Sequence, residues 1–236
     1  MENKIVLITG ANGGLGTAFI KKILELNPSK VYCSARDIKS LENIKSISAK
    51  IEAIELDIAS KESIKKVLSK IDKLDILINN AGVNSNSRLF DDSFLDIEVN
   101  LKGTINLTQA LFEKLKASKG TVVNVTSIIA LVNLPILANY SISKSALHSF
   151  SQALRAEFGL FDGEVYEVLP GPIETKMTEG SPMQKAQPEN IVNVVLTSMK
   201  NKEFEIYPDE FALMVKQRLK DGPEKLIEEF SMSIQG

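Results

Sequence analysis

The chain has 236 residues, 44% of them hydrophobic, and sets 28 Lys+Arg against 30 Asp+Glu. That near-neutral balance, with basic residues scattered along the chain, argues against a nucleic-acid-binding surface or a polybasic membrane contact. The lone Cys33 rules out an internal disulfide framework, and no apolar run approaches the ~18 residues of a membrane-spanning helix.

Residues 1–3 run directly into a strand-like segment, so no signal peptide and a cytoplasmic setting are expected. Lys4–Thr9 reads as a strand buried on both faces, and Thr17–Leu26 as an amphipathic helix closed by Asn27-Pro28-Ser29. Val31–Ala35 and Ile51–Leu56 read as the second and third strands, with Cys33 a small buried thiol in the second. A Lys-rich helical stretch around Glu62–Ile71 precedes a fourth strand, Asp75–Asn79. Helical patterns over roughly 92–117 and 138–158 bracket a fifth strand, Val122–Thr126. Glu164–Leu169 and Phe204–Tyr207 complete the strand candidates. Short Val/Ile/Leu runs separated by helices predict an α/β architecture, a doubly wound parallel sheet with helices on both faces. No linker or repeat divides the chain, so one domain over residues 1–236 is expected. Ligands of such sheets lie beyond the carboxyl ends of the strands, which directs attention to the segments just after each one.

The first strand runs into "ITGANGGLG", Ile8 to Gly16. It lacks the Lys-Ser/Thr pair of a P-loop, and the last glycine of G-x-G-x-x-G would fall at Phe19. Gly10, Gly14 and Gly16 still allow a tight turn that brings backbone N–H groups and a helix N-terminus to a pyrophosphate. After the second strand, Arg36 stands twenty positions beyond Gly16, where an acid would bind a ribose hydroxyl and an Arg a 2′-phosphate. The reading favours the phosphate contact, although a small shift in register would put Asp37 on the ribose instead. Asp57 could accept a hydrogen bond from an adenine amino group with Ile58 beside the ring, or it could cap the helix that begins near Ser60. "NNAG", Asn79 to Gly82, offers amides to tie neighbouring strands and bare backbone at Ala81-Gly82 for a flat ligand.

Tyr140 and Lys144 in "YSISK" lie four residues apart on one helix face. A phenol titrates near 10 in water, and an adjacent ammonium lowers that value towards the range that acid–base catalysis needs. The pair stands thirteen positions after Ser127, and Asn100 lies in the preceding helical segment.

These elements together resemble the short-chain dehydrogenase/reductase family in its compact single-domain form, over about Lys4 to Thr175. Thr9-Gly10-Ala11-Asn12-Gly13-Gly14-Leu15-Gly16 matches its T-G-x-x-x-G-x-G loop, and N-N-A-G, Asn, Ser, Y-x-x-x-K and P-G follow in the family's order. The resemblance implies a Rossmann-type strand order of 3-2-1-4-5-6, with room for a short seventh strand, and hydride transfer between a nicotinamide and a carbonyl/alcohol pair. It gives Tyr140 the proton, Lys144 the tuning of Tyr140 and a hydrogen bond to the nicotinamide ribose, Ser127 the substrate oxygen, and Asn100 a water that links Lys144 to solvent. It implies cofactor contacts from Gly10, Asn12, Gly13, Gly14, Leu15, Gly16, Arg36, Asp57, Ile58, Asn80, Ala81, Gly82, Tyr140, Lys144, Pro170, Gly171, Ile173 and Thr175. Arg36 favours NADP(H) over NAD(H), and a homo-oligomer, dimer or tetramer, is implied.

The expected substrate is an uncharged, moderately apolar aldehyde, ketone or secondary alcohol, held between "IIALVNLPILAN" after Ser127 and "VNSNSR", Val83–Arg88. Relative to the family pattern, the segment Lys176–Gln187 is short, which implies a more open site. The usual last strand with its Gly-Gly pair is absent, so residues from about 203 onward form an atypical tail and the tetramer is in doubt. The lone His148 reads as a packing or subunit-contact residue, no metal is expected, and the acidic run Asp91, Asp92, Asp96, Glu98 reads as a solvated helix face. Two alternatives are an NADP(H)-binding regulator without catalysis and a nucleotide-sugar epimerase, for which the chain looks too short.

Overall fold

The computed structural model describes residues 1–234. β1, Ile5–Thr9, is an Ile-Val-Leu-Ile-Thr strand whose last four residues are buried, as a strand covered by helices on both faces must be. It pairs in parallel with β2, Lys30–Ala35, on one side and β4, Ile76–Asn79, on the other. β3, Ile51–Glu55, lies beyond β2, while β5, Thr121–Val125, β6, Glu164–Val168, and the two-residue β7, Glu205–Ile206, extend the sheet beyond β4. The order is β3-β2-β1-β4-β5-β6-β7 and every pairing is parallel. The expected Rossmann-type order is therefore observed, with the seventh strand present in its shortest form. The order reverses between β1 and β4, which is where a crevice opens.

Alternation along β1 splits the core: Val6 and Ile8 face one layer and Leu7 the other. α1, Gly14–Glu25, the short α2, Glu42–Lys45, and α6, Pro188–Lys200, cover the first face. α3, Lys61–Leu68, α4, Thr104–Ala117, and α5, Ala138–Gly159, cover the second. α7, Glu210–Asp221, and α8, Pro223–Ser231, belong to the tail, where Ala212, Val215 and Leu226 pack on Ile128, Ile129 and Val132 just past Ser127.

Three local expectations change. α1 begins at Gly14, three residues before the expected Thr17, because the glycines are the first helical turn. Asp57 does not cap α3: Ser60 does, accepting from Ser63 N at 3.2 Å, while Asp57 Oδ1 accepts from Ala59 N at 3.0 Å. The acidic run is not uniformly solvated. Glu98 is exposed and pairs with Lys102, but Asp96 is fully buried, its carboxylate accepting from Ser85 N and Ser85 Oγ. The carboxylates do not share one face: Asp91 and Asp92 precede the helix, and Asp96 stands two residues, about 200° of helical rotation, from Glu98, just before a π-helical segment, Ile97–Gly103, that leads into α4.

Candidate active site

The turn after β1 is built for close approach. Gly10 has φ +61°, a left-handed conformation, and a Cβ there would stand 2.9 Å from Ala81 Cα. A Cβ on Gly16 would overlap the Gly10 carbonyl oxygen and lie 2.9 Å from Ala11 Cα. Gly16→Ala is therefore expected to push the loop off its path and weaken binding of a pyrophosphate-bearing dinucleotide ~10-fold or more, read by nucleotide fluorescence. α1 has Gly13 at its N-cap, no side-chain cap and no acid in its first turn, so its amide hydrogens and positive end face the crevice.

"NNAG" ties this turn to the sheet. The Thr9 hydroxyl accepts from Asn80 N and Ala81 N, both at 2.9 Å, and donates to Ile78 O. Asn80 Nδ2 donates to Thr9 O at 2.9 Å and Gly10 O at 3.1 Å. Asn79 Nδ2 reaches Asn124 Oδ1 of β5 at 2.8 Å and Thr108 Oγ1 at 3.0 Å. The amides thus join β1, β4 and β5, as expected from the sequence.

Two cavities of about 250 and 210 Å³ meet at Gly10, Asn12, Ala81 and Gly82. The smaller runs to Arg36, Asp37, Asp57 and Ile58 at the ends of β2 and β3. The larger contains Gly13, Gly14, Leu15, Gly16 and Asn80, and reaches Ser127, Tyr140 and Lys144 on one wall and Pro170, Gly171, Ile173 and Thr175 on the other. An elongated ligand with a pyrophosphate at its middle fits two pockets joined across a glycine turn and a helix N-terminus. Of the catalytic and cofactor candidates, only Asn100 lines neither cavity; of the two segments expected to hold substrate, Val83 alone lines one of them. Asn100 is fully buried, with Nδ2 near Val83 O at 2.9 Å and Ser143 Oγ at 3.0 Å, and Oδ1 accepting from Val83 N.

Asp37 Oδ1 accepts from Lys39 N at 2.9 Å and caps a 3₁₀ turn, Ile38–Leu41. One carboxylate oxygen is therefore engaged locally, although Asp37 lines the smaller cavity together with Arg36.

Around the reaction centre, Lys144 is buried and Nζ donates to Val125 O at 2.9 Å. Nζ lies 5.5 Å from the centroid of the Tyr140 ring. Burial pushes the Lys144 ammonium down to about 8, opposed by the charges of Asp96 and Glu167. Burial, reinforced by Asp96, pushes the Tyr140 phenol above its ordinary value. The expected lowering of Tyr140 by the ammonium is not met in this arrangement: Nζ is turned to a backbone carbonyl, and burial with the Asp96 charge sets the phenol. The Ser127 hydroxyl makes only two long contacts, to Pro170 O and Ile129 N, each 3.4 Å, and is free to re-aim.

Sequence reasoning missed several contributors. Lys176, Met177 and Thr178 line the larger cavity, so the short segment after Thr175 still covers part of it. Asp209, in the tail, accepts from Gly171 N at 2.8 Å through Oδ2 while Oδ1 caps α7. No local signal foretells that contact, which spans 38 residues. His148 Nδ1 pairs at 2.9 Å with Glu167, a fully buried acid that also accepts from Thr126 Oγ1 at 2.8 Å. Cys33 is the expected buried thiol, pushed up to about 12 and so unreactive. Among the described residues no helix is long and apolar enough to cross a membrane.

Residues 4–186 match the profile of the short chain dehydrogenase family. The chain belongs to that family. A short-chain dehydrogenase from Burkholderia cenocepacia, solved in complex with NADP, is 31% identical to this one, with a TM-score of 0.92 over 97% of this chain and 98% of that one. An uncharacterised oxidoreductase of Staphylococcus epidermidis is 28% identical, over 84% of this chain and 92% of its own length. The NADPH-dependent 1-acyldihydroxyacetone phosphate reductase of Schizosaccharomyces pombe is 30% identical, over 80% of this short-chain dehydrogenase and 67% of its own length. The protein is accordingly an oxidoreductase with the fold that binds nicotinamide cofactors. The family match stops at residue 186, short of the atypical tail.

Proposed function

We propose that this short-chain dehydrogenase interconverts a small, uncharged, apolar aldehyde or ketone and the corresponding alcohol with NADP(H). The observation that carries the reading is the convergence of Ser127, Tyr140 and Lys144 on the inner end of the larger cavity. Bound there, the nicotinamide supplies the hydride that turns C=O into CH–OH. Ser127 hydrogen-bonds the carbonyl oxygen, and the Tyr140 hydroxyl gives that oxygen its proton; in oxidation the proton returns to Tyr140. Lys144 stabilises the phenolate left behind and, on turning from Val125 O, hydrogen-bonds the cofactor ribose. Asn100 fastens the Val83 strand end to α5 beneath Lys144, the position from which it would hold a relaying water. Overall, carbonyl, NADPH and one proton give alcohol and NADP+.

The apolar side chains of Val125, Ile173 and Met177 in the lining of the larger cavity support an apolar substrate. NADP(H) is favoured by Arg36 in the smaller cavity, by the engagement of Asp37 in capping, and by the NADP bound to the Burkholderia protein. A single domain in the cytoplasm is part of the same reading. So is a homo-oligomer, supported by the exposed apolar side chains of Leu89, Phe90, Phe94 and Leu95.

The test is a turnover screen of aldehydes and ketones with NADPH and NADH. Arg36→Ala is expected to weaken NADPH ~10-fold or more while changing NADH by less than ~2-fold. Equal effects on both would remove Arg36 from cofactor choice.

A further inference from the structure

Asp96 is the one buried acid of the acidic run. Its neighbours form a connected chain: Ser85 Oγ donates to Asp96, Ser85 Oγ and Ser87 Oγ are 2.6 Å apart, and Asn139 Nδ2 is 3.1 Å from Ser87 Oγ. The proton positions in this chain are determined by chemistry. Asn139 Nδ2 faces the carbonyls of Arg88, at 3.3 Å, and Ser93, at 3.0 Å, so it is a donor. Ser85 has one proton and gives it to the Asp96 carboxylate, so Ser87 donates to Ser85, while Asn139 Nδ2 shares its two protons among Ser87 Oγ and the two carbonyls. Along the Ser87–Ser85–Asp96 run each bond polarises the next. The chain links the 83–88 segment to the residue next to Tyr140.

We propose that Asp96 is a positioning residue for the reaction: through Ser85, Ser87 and Asn139 it fixes the first turn of α5 against the 83–88 segment, and its buried carboxylate, four residues before the Asn100 that bonds Ser143 next to Lys144, acts on the Tyr140–Lys144 pair. This rests on reading that pair as the acid–base centre. The charge favours the protonated forms of both groups. The other acid acting on the pair is Glu167 of β6, itself bonded to His148 of α5 and to Thr126. Asp96 has no such cation partner, its contacts being Ser85 N and Oγ.

Two variants separate charge from tether. Asp96→Asn keeps the size and removes the charge; Ser85→Ala keeps the charge and cuts the chain. Lys144 titration is followed by NMR of isotope-labelled lysine, its signal identified by loss in Lys144→Met. In Asp96→Asn the Lys144 midpoint is expected to fall by ~1 unit, and the alkaline limb of kcat/KM for carbonyl reduction to move with it. In Ser85→Ala the midpoint should stay within ~0.3 unit while KM for the carbonyl rises ~10-fold. An unmoved Lys144 midpoint in a folded Asp96→Asn protein overturns the charge role. If that variant does not fold, as judged by circular dichroism, an unchanged KM in Ser85→Ala overturns the tether. The NMR midpoint needs no turnover, so a wild-type protein inactive on every carbonyl would defeat the proposed reaction while the Asp96 charge effect is still decided.

Discussion

Replacing Tyr140 with Phe is expected to lower kcat for carbonyl reduction by ~1,000-fold or more, with the Kd for NADPH within ~3-fold of wild type. The ring stays, so the wall of the larger cavity and the cation–π contact with Lys144 at 5.5 Å are kept; only the proton is lost. Stopped assays at saturating NADPH give kcat, and fluorescence quenching gives the Kd. Activity within ~10-fold of wild type would mean that another group supplies the proton. The pH profile follows from the same site. Burial and Asp96 keep Tyr140 protonated well above neutrality, so it is the charge on Lys144, with its value near 8, that is lost first as pH rises. Reduction should accordingly decline above about pH 8.

Lys144→Met is expected to abolish turnover and, in the absence of cofactor, to stabilise the fold. In the unfolded chain Lys144 titrates near 10.5 and in the folded protein near 8, a difference of 2.5 units. At neutral pH folding must therefore bury a charge at a cost of about 3 kcal/mol. A methionine avoids that cost and fills similar space, while Val125 O loses its 2.9 Å donor, worth about 1 kcal/mol. The net gain is ~2 kcal/mol, or a Tm increase of several degrees. The sign has a pH signature. The folded state holds fewer protons than the unfolded one between about 8 and 10.5, so wild-type stability gains with rising pH across that window and the gap to the variant closes. A variant less stable than wild type at pH 7 in calorimetry would show that burial does not penalise Lys144.

The fold was legible because parallel strands covered on both faces carry unbroken apolar runs, as in "IVLIT" and "ILIN". The two joined cavities were legible in turn because most of the residues that line them lie just past a strand end, where sequence position alone specifies location. What was lost depends on rotation and on distant contacts. Asp96 looked solvated because the acidic run was read as one helix face, whereas Asp91 and Asp92 precede the helix and Asp96 lies on the side opposite Glu98. Asp209 could not be linked to Gly171 from sequence, since the tail reaches the site only by packing Ala212 and Val215 on the segment after Ser127. The Tyr140–Lys144 spacing was read correctly, but their protonation was not. Whether an ammonium lowers a phenol depends on where Nζ points and how much water both have lost, and neither is written in a four-residue spacing.

Hydride transfer from this cavity to a carbonyl carbon can be followed with deuterium. The wild-type protein is incubated with NADPH doubly deuterated at the nicotinamide C4 and a panel of apolar ketones and aldehydes, and the products are analysed by mass spectrometry and NMR. The account predicts one deuterium on the carbinol carbon of at least one product, in step with cofactor oxidation. NADPH that binds tightly and is returned with its deuterium intact across the whole panel would contradict it.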